Sequence, residues 1–95
     1  MTLAPGASAV FRVDAAPSEH LGSELTFSPA DLDVTVTLER WDGLAMSTLA
    51  TTDGGRGIRT IAGYDPGGAR TFWFVVKAGA RAVSGASFVV RRTPY

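Results

Sequence analysis

Residues 32–39 alternate strictly between apolar and polar side chains. The apolar positions are Leu32, Val34, Val36 and Leu38, and the polar positions are Asp33, Thr35, Thr37 and Glu39. A period of two residues places each set on its own side of an extended chain, whereas a helix would scatter both sets around its axis. The segment is therefore predicted to be an antiparallel β-strand with one buried face and one solvent-facing face.

Other short apolar runs lie between turn residues such as Gly43, Pro66 and Gly85 and predict further strands. Besides 32–39, the predicted strands cover residues 8–13, 23–27, 44–52, 58–64, 71–77 and 86–91, with a loop over residues 15–22. No long segment has helical periodicity uninterrupted by Gly or Pro. The chain is predicted to be all-β, an antiparallel two-sheet sandwich with jelly-roll-like character, and residues 1–95 are expected to form a single domain.

The same alternation predicts which side chains lie between the two sheets. The predicted core consists of Phe11, Val13, Leu25, Phe27, Leu32, Val34, Val36, Leu38, Phe72, Phe74, Val76, Phe88 and Val90. Neighbouring residues of a strand point to opposite faces, so Trp73 and Val75 are predicted to point away from this core.

Charge and cysteine content narrow the range of partners. Nine Lys and Arg residues balance nine Asp and Glu residues, so no overall positive field favours nucleic acid as a partner. The absence of Cys excludes disulfides, thiolate metal sites and a Cys nucleophile. No apolar run is long enough for a membrane span, and no signal peptide is expected in this chain.

Several motifs along the chain resemble those of the bacterial pre-peptidase C-terminal domain. The segment 31–38 (Asp-Leu-Asp-Val-Thr-Val-Thr-Leu) is followed by Trp-Asp-Gly at 41–43 and by Thr-Asp-Gly-Gly at 52–55. Residues 68–76 resemble the penultimate strand of that family, and residues 84–90 resemble its closing strand. The family usually has Tyr at the positions of Phe72 and Phe88.

This resemblance implies a sandwich domain attached to secreted peptidases and other exported enzymes. Such a domain aids secretion, is removed on maturation, or holds the enzyme on an insoluble substrate. The resemblance also implies an extracellular or cell-surface location. Some members of the family bind calcium.

Asp31 and Asp33 are the candidate calcium ligands. They lie two positions apart at the start of a predicted strand, where carboxylate and backbone oxygens could converge on a hard cation. The alternative is that Asp33 belongs to the polar face of the strand and that Asp31 is an acidic turn residue. We expect calcium to cause no large change in stability.

Exposed aromatic side chains are the candidate binding residues. The candidates are Trp73 with its neighbour Val75, Trp41, Tyr64 and Tyr95. His20 is the only histidine, and no local motif of a nucleophile joins it, so the chain is not expected to be an enzyme.

Two functions stay open on this basis. The first is a non-catalytic accessory domain of an exported bacterial protein, which aids secretion or binds an insoluble polymer or protein substrate. The second is a structural or assembly domain that mediates protein–protein association.

Overall fold

The computed structural model describes residues 1–16, 19–41, 43–52, 56–64 and 70–94. Residues 53–55 of the predicted turn at 53–57, the predicted turn at 65–68 and the aromatic Tyr95 lie outside this part of the chain. The described strands are β1 (Ser8–Ala15), β2 (Glu19–Thr26), β3 (Val34–Trp41), β4 (Met46–Thr52), β5 (Ile58–Tyr64), β6 (Arg70–Ala78) and β7 (Ser87–Pro94).

The strands form two antiparallel sheets that pack face to face. A four-stranded sheet has the order β1-β6-β3-β4, and a three-stranded sheet has the order β5-β2-β7. Every connection except β3–β4 passes from one sheet to the other, in keeping with the predicted jelly-roll-like character. The prediction of an all-β two-sheet sandwich is confirmed. No described helix is long and apolar enough to cross a membrane.

The core lies between the sheets, and the side chains that the alternation predicted to be inward are buried in it, except Phe11, Phe88 and Val90, which are partly buried and pack against it. Leu38, Phe72 and Phe74 are completely buried, and Phe88 packs edge-on against Phe74 with 5.8 Å between ring centroids. Phe88 also stacks on Phe11 at 4.8 Å, which links the two sheets. The prediction omitted several buried residues: Leu3, Ala15, Leu21, Ile61, Ala78, Val83 and Ala86.

Strand β2 begins earlier than predicted. The prediction of a loop over 15–22 was wrong at Ala15, which belongs to β1, and from Glu19 onward, where β2 pairs with β7. Gly22 is a poor strand former, and the predicted strand therefore began only at Ser23. In the folded chain Leu21 is completely buried and Ser23 is 1% exposed, so burial and pairing override the local preference.

A buried arginine connects the two sheets near the start of β3. Arg59 lies on β5 and is 4% exposed. Its Nε donates to the carbonyl oxygen of Val34 at 2.7 Å, and its Nη2 donates to that of Leu32 at 3.3 Å. Its guanidinium lies 4.8 Å from the ring centroid of Phe27. The two hydrogen bonds from Arg59 hold the start of β3 against the three-stranded sheet.

Candidate functional site

The solvent-facing side of the four-stranded sheet is called the outer face here. Its central row consists of Val10 on β1, Val75 on β6, Thr37 on β3 and Thr51 on β4, which are register partners from one strand to the next. Val10 is 61% exposed and Val75 is half-buried. The row is therefore an uncharged strip of apolar and hydroxyl side chains across the sheet.

Trp73 lies in the next row of the outer face. Its register partners are Arg12 on β1 and Glu39 on β3, so one basic and one acidic residue flank the indole. Trp73 is half-buried and does not belong to the core cluster. The structure thus places Trp73 and Val75 on the outward side that the alternation predicted.

A hydrogen-bonded group lies beyond Trp73 at the end of β1. The hydroxyl of Thr71 donates to Asp14 Oδ1 at 2.7 Å, and Arg12 Nε lies 3.4 Å from the same oxygen. The hydrogen bond from Thr71, aided by the charge of Arg12, holds the pKa of Asp14 below its usual value. Arg12 and Asp14 are therefore paired with each other, and this pair lies beside Trp73.

Trp41 lies on the outer side of the sheet at the end of β3, where it pairs with Met46 of β4. Trp41 is 53% exposed and Met46 is 43% exposed. Leu44 of the intervening turn is 91% exposed. These side chains form an apolar corner near the edge of the outer face.

Tyr64 belongs to a different surface. It lies on β5 of the three-stranded sheet and packs against the core, edge-on to Phe72 with 6.2 Å between centroids. The structure therefore does not bring Tyr64 together with Trp73. His20 is half-buried on β2 of the same sheet as Tyr64, in register with Thr93.

Asp31 is bound to an arginine. Its Oδ1 lies 3.1 Å from Nη2 of Arg81, and the same nitrogen donates to its carbonyl oxygen at 2.9 Å. The hydrogen bond and the charge of Arg81 lower the pKa of Asp31 below its usual value. A calcium ion at this carboxylate would have to compete with the guanidinium.

Asp33 lies close to the backbone of Gly79. Its carbonyl oxygen accepts from the Gly79 N–H at 2.7 Å, and a Cβ at position 79 would lie 2.8 Å from Oδ2 of Asp33. The described residues contain no group of three or more acidic or His side chains placed to hold a metal. Calcium needs about six to eight oxygen ligands, so Asp31 and Asp33 would supply only part of a site.

The sequence did not indicate which residues of other strands would surround Trp73. Val10 follows from the alternation on β1, because Phe11 and Val13 point inward. Its position beside Val75 depends on the pairing of β1 with β6, which is far away in sequence. No cavity or cleft is found among the described residues.

No protein-family model and no curated protein matches the chain. The resemblance to the pre-peptidase C-terminal domain therefore rests on the short motifs of the sequence.

Proposed function

We propose that this chain is a non-catalytic accessory domain of an exported bacterial protein and that its outer face binds an insoluble polymer. The outward position of Trp73 in the centre of the sheet carries this proposal. The exported setting, outside the cell or on its surface, is supported by the motif resemblance. Calcium has no necessary part in this binding.

The outer face suits contact with an extended ligand. An indole on a central strand has few rotatable bonds and a large apolar surface, so little conformational entropy is lost when it is covered. Val10 and Val75 continue the apolar surface beside it. Contiguous exposed apolar patches mark contact sites, and in this one Val10 is 61% exposed while Trp73 and Val75 keep part of their surface in solvent.

The polar groups around the strip favour a protein fibre over a polysaccharide. Arg12, paired with Asp14, and Glu39, which accepts from Thr37, place charges of both signs on either side of Trp73, and both side chains keep further donors or acceptors for the charged groups of a protein. Thr51 can donate to and accept from peptide groups, whereas the Thr37 hydroxyl donates to Glu39 Oε2 at 3.4 Å and keeps its oxygen as an acceptor. The chain has no Asn or Gln, whose amides would suit sugar hydroxyls.

Co-sedimentation with insoluble collagen, and with chitin as the polysaccharide, tests this function. We expect the domain to bind collagen and Trp73→Ser to lose at least about tenfold in affinity, because the variant removes the central apolar anchor. Val89→Ser is the matched control, since Val89 is 46% exposed on the other sheet. It should bind like the unaltered chain.

Stability measurements separate binding from folding. If Trp73 serves contact, Trp73→Ser should keep most of the free energy of unfolding. A loss of about 3 kcal/mol or more would identify Trp73 as structural cover. If the domain binds chitin but not collagen, the ligand is a polysaccharide and not a protein fibre. Equal binding by Trp73→Ser and the unaltered chain would refute the outer face as the binding site.

The second function, an assembly domain, is favoured by one specific observation. Strand β4 is an uncharged strand at the edge of the four-stranded sheet. It offers a surface for protein–protein association that is separate from Trp73.

A further inference from the structure

Strand β4 leaves one side of its backbone at the edge of the four-stranded sheet. Its other side pairs with β3, and no strand among the described residues lies beyond it. Its sequence, MSTLATT, contains no charged residue and no proline. The edge of a sheet with such a sequence is a template for pairing with another chain.

The other edges carry features that discourage pairing. Strand β1 presents the charged Arg12 and Asp14, and β7 carries Arg91 and ends in a proline. Strand β5 turns the charged Arg59 inward. Inward charges, exposed charges, prolines and bulges all oppose the addition of a strand; β4 has a bulge but neither charge nor proline, so it is the most open edge in the described part of the chain.

A bulge gives β4 an unusual pattern of exposure. The register with β3 shifts between Leu38 and Glu39, so that both Leu49 and Ala50 point toward the core side. From residue 47 to residue 52 the side chains are half-buried, exposed, half-buried, half-buried, exposed and half-buried. This pattern reads the same in both directions.

We propose that β4 pairs antiparallel with β4 of a second copy of this chain, about a two-fold axis between Leu49 and Ala50. In this register Leu49 lies opposite Ala50 of the second copy, and Thr48 lies opposite Thr51. Residues that face each other across an antiparallel pair point to the same side of the sheet. The symmetric exposure pattern is what such a pairing requires, because each inward residue meets an inward one and each outward residue meets an outward one.

A second copy fits this edge better than an unrelated peptide. A two-fold interface uses the same surface of both subunits, and the inward doublet Leu49–Ala50 of one copy meets the same doublet of the other copy with no further shift of register. These two side chains pack partly buried against the core, and the second copy would cover their remaining surface. The Thr48–Thr51 pairs add cross-strand contacts, and the pairing removes an open edge.

The pairing is independent of polymer binding, because it uses the edge of the sheet and needs no polymer. Sedimentation velocity from about 10 µM to about 1 mM protein measures it directly. We expect a concentration-dependent rise from 9.9 kDa toward twice that mass. A single 9.9 kDa species at every concentration would overturn the proposal.

Charge variants test the register. The variant T48K/T51K places lysines opposite lysines across the axis and should raise the dissociation constant at least about tenfold. The variant T48K/T51E carries charges at the same positions but places Lys opposite Glu, so it should self-associate much more tightly than T48K/T51K. Equal self-association of the two variants would contradict the proposed register, whether both dimerise or neither does.

Thr60→Lys is the control for an added charge on an edge strand. Thr60 is exposed on β5, at an edge of the other sheet. Its substitution should leave self-association unchanged, and a loss there would assign the contact to β5 instead of β4. Circular dichroism of each variant verifies that the sandwich is folded in the same experiment.

Discussion

Arg59 is the residue whose role departs furthest from its type. Arginine is among the residues least often buried, yet this side chain lies in the interior and donates to backbone carbonyls of the opposite sheet. A planar guanidinium has several donors in fixed directions, so it can satisfy more than one carbonyl at once. Its Nη1 also donates to the carbonyl of Ile58 at 2.9 Å.

Removing these donors should be costly. We expect Arg59→Met to lower the free energy of unfolding by about 2 to 4 kcal/mol, because buried carbonyls lose their partners. Arg59→Lys should also destabilise, since an ammonium group cannot reproduce the planar arrangement of donors. Urea denaturation measures both.

Arg91→Met is the comparison at an exposed arginine. Arg91 is exposed and lies 3.5 Å from Glu24, a surface pair worth about 0 to 1 kcal/mol. An Arg59→Met variant no less stable than Arg91→Met would show that the interior hydrogen bonds add little.

The calcium prediction concerns Asp31. We expect millimolar calcium to cause no large rise of the melting temperature, because Arg81 is paired with the Asp31 carboxylate. A metal that bound only the folded chain would raise the melting temperature by mass action. Differential scanning calorimetry with and without calcium measures this.

Asp31→Asn identifies the site if calcium does act. A calcium-dependent rise that disappears in Asp31→Asn would establish calcium binding at Asp31 against our expectation. A rise that persists in the variant would place the metal elsewhere.

At the scale of elements, the sequence predicted strands best where one local signal was strong. The alternation of β3 and the apolar run of β6 can be recognised from neighbouring residues alone. The predicted bounds of β5 match the structure. The inward side chains of β3 and β6 followed from the same rule, whereas the buried Arg59 and Ile61 of β5 were not predicted. A strand whose burial comes from long-range pairing gives a weaker local signal, as β2 shows at Gly22 and Ser23.

The candidate site was predictable only in part. Alternation placed Trp73 and Val75 outward, but it could not say which strands flank them, because the register of β6 with β1 joins residues far apart in sequence. The bulge in β4 was also beyond the pattern. The extra residue of the bulge makes Leu49 and Ala50 point to the same side, so the alternation of inward and outward side chains is broken there. In the sequence, such a break looks like a weakly alternating strand.

At the scale of the whole molecule, the segment before β1 is hydrogen-bonded to the connection between β6 and β7. Leu3 and Val83 exchange backbone hydrogen bonds of 2.7 and 2.8 Å, and the Gly6 N–H donates to the carbonyl of Gly79 at 2.9 Å. Leu3 is 6% exposed and Val83 is completely buried. This connection passes from one sheet to the other, so the segment closes one end of the shared core.

Leu3→Ala tests whether that closure contributes to stability. The variant keeps the backbone hydrogen bonds and removes only the buried side chain, so we expect the free energy of unfolding to fall by about 2 to 4 kcal/mol. Val10→Ala is the control, because Val10 is solvent-facing on β1 and should cost less than about 1 kcal/mol. Equal losses would mean that the side chain of Leu3 contributes no more than a surface contact.

The two sheets should also unfold together. Both tryptophans, Trp41 and Trp73, lie in the four-stranded sheet, so tryptophan fluorescence reports on that sheet while far-UV circular dichroism reports on all strands. Because one core joins the sheets, the two signals should give coincident transitions in the unaltered chain and in Leu3→Ala. If the transitions separate in Leu3→Ala alone, the segment before β1 is what couples the sheets. If they coincide in both, the rest of the shared core, with the contacts of Phe88 and Arg59, holds the sheets together without the side chain of Leu3.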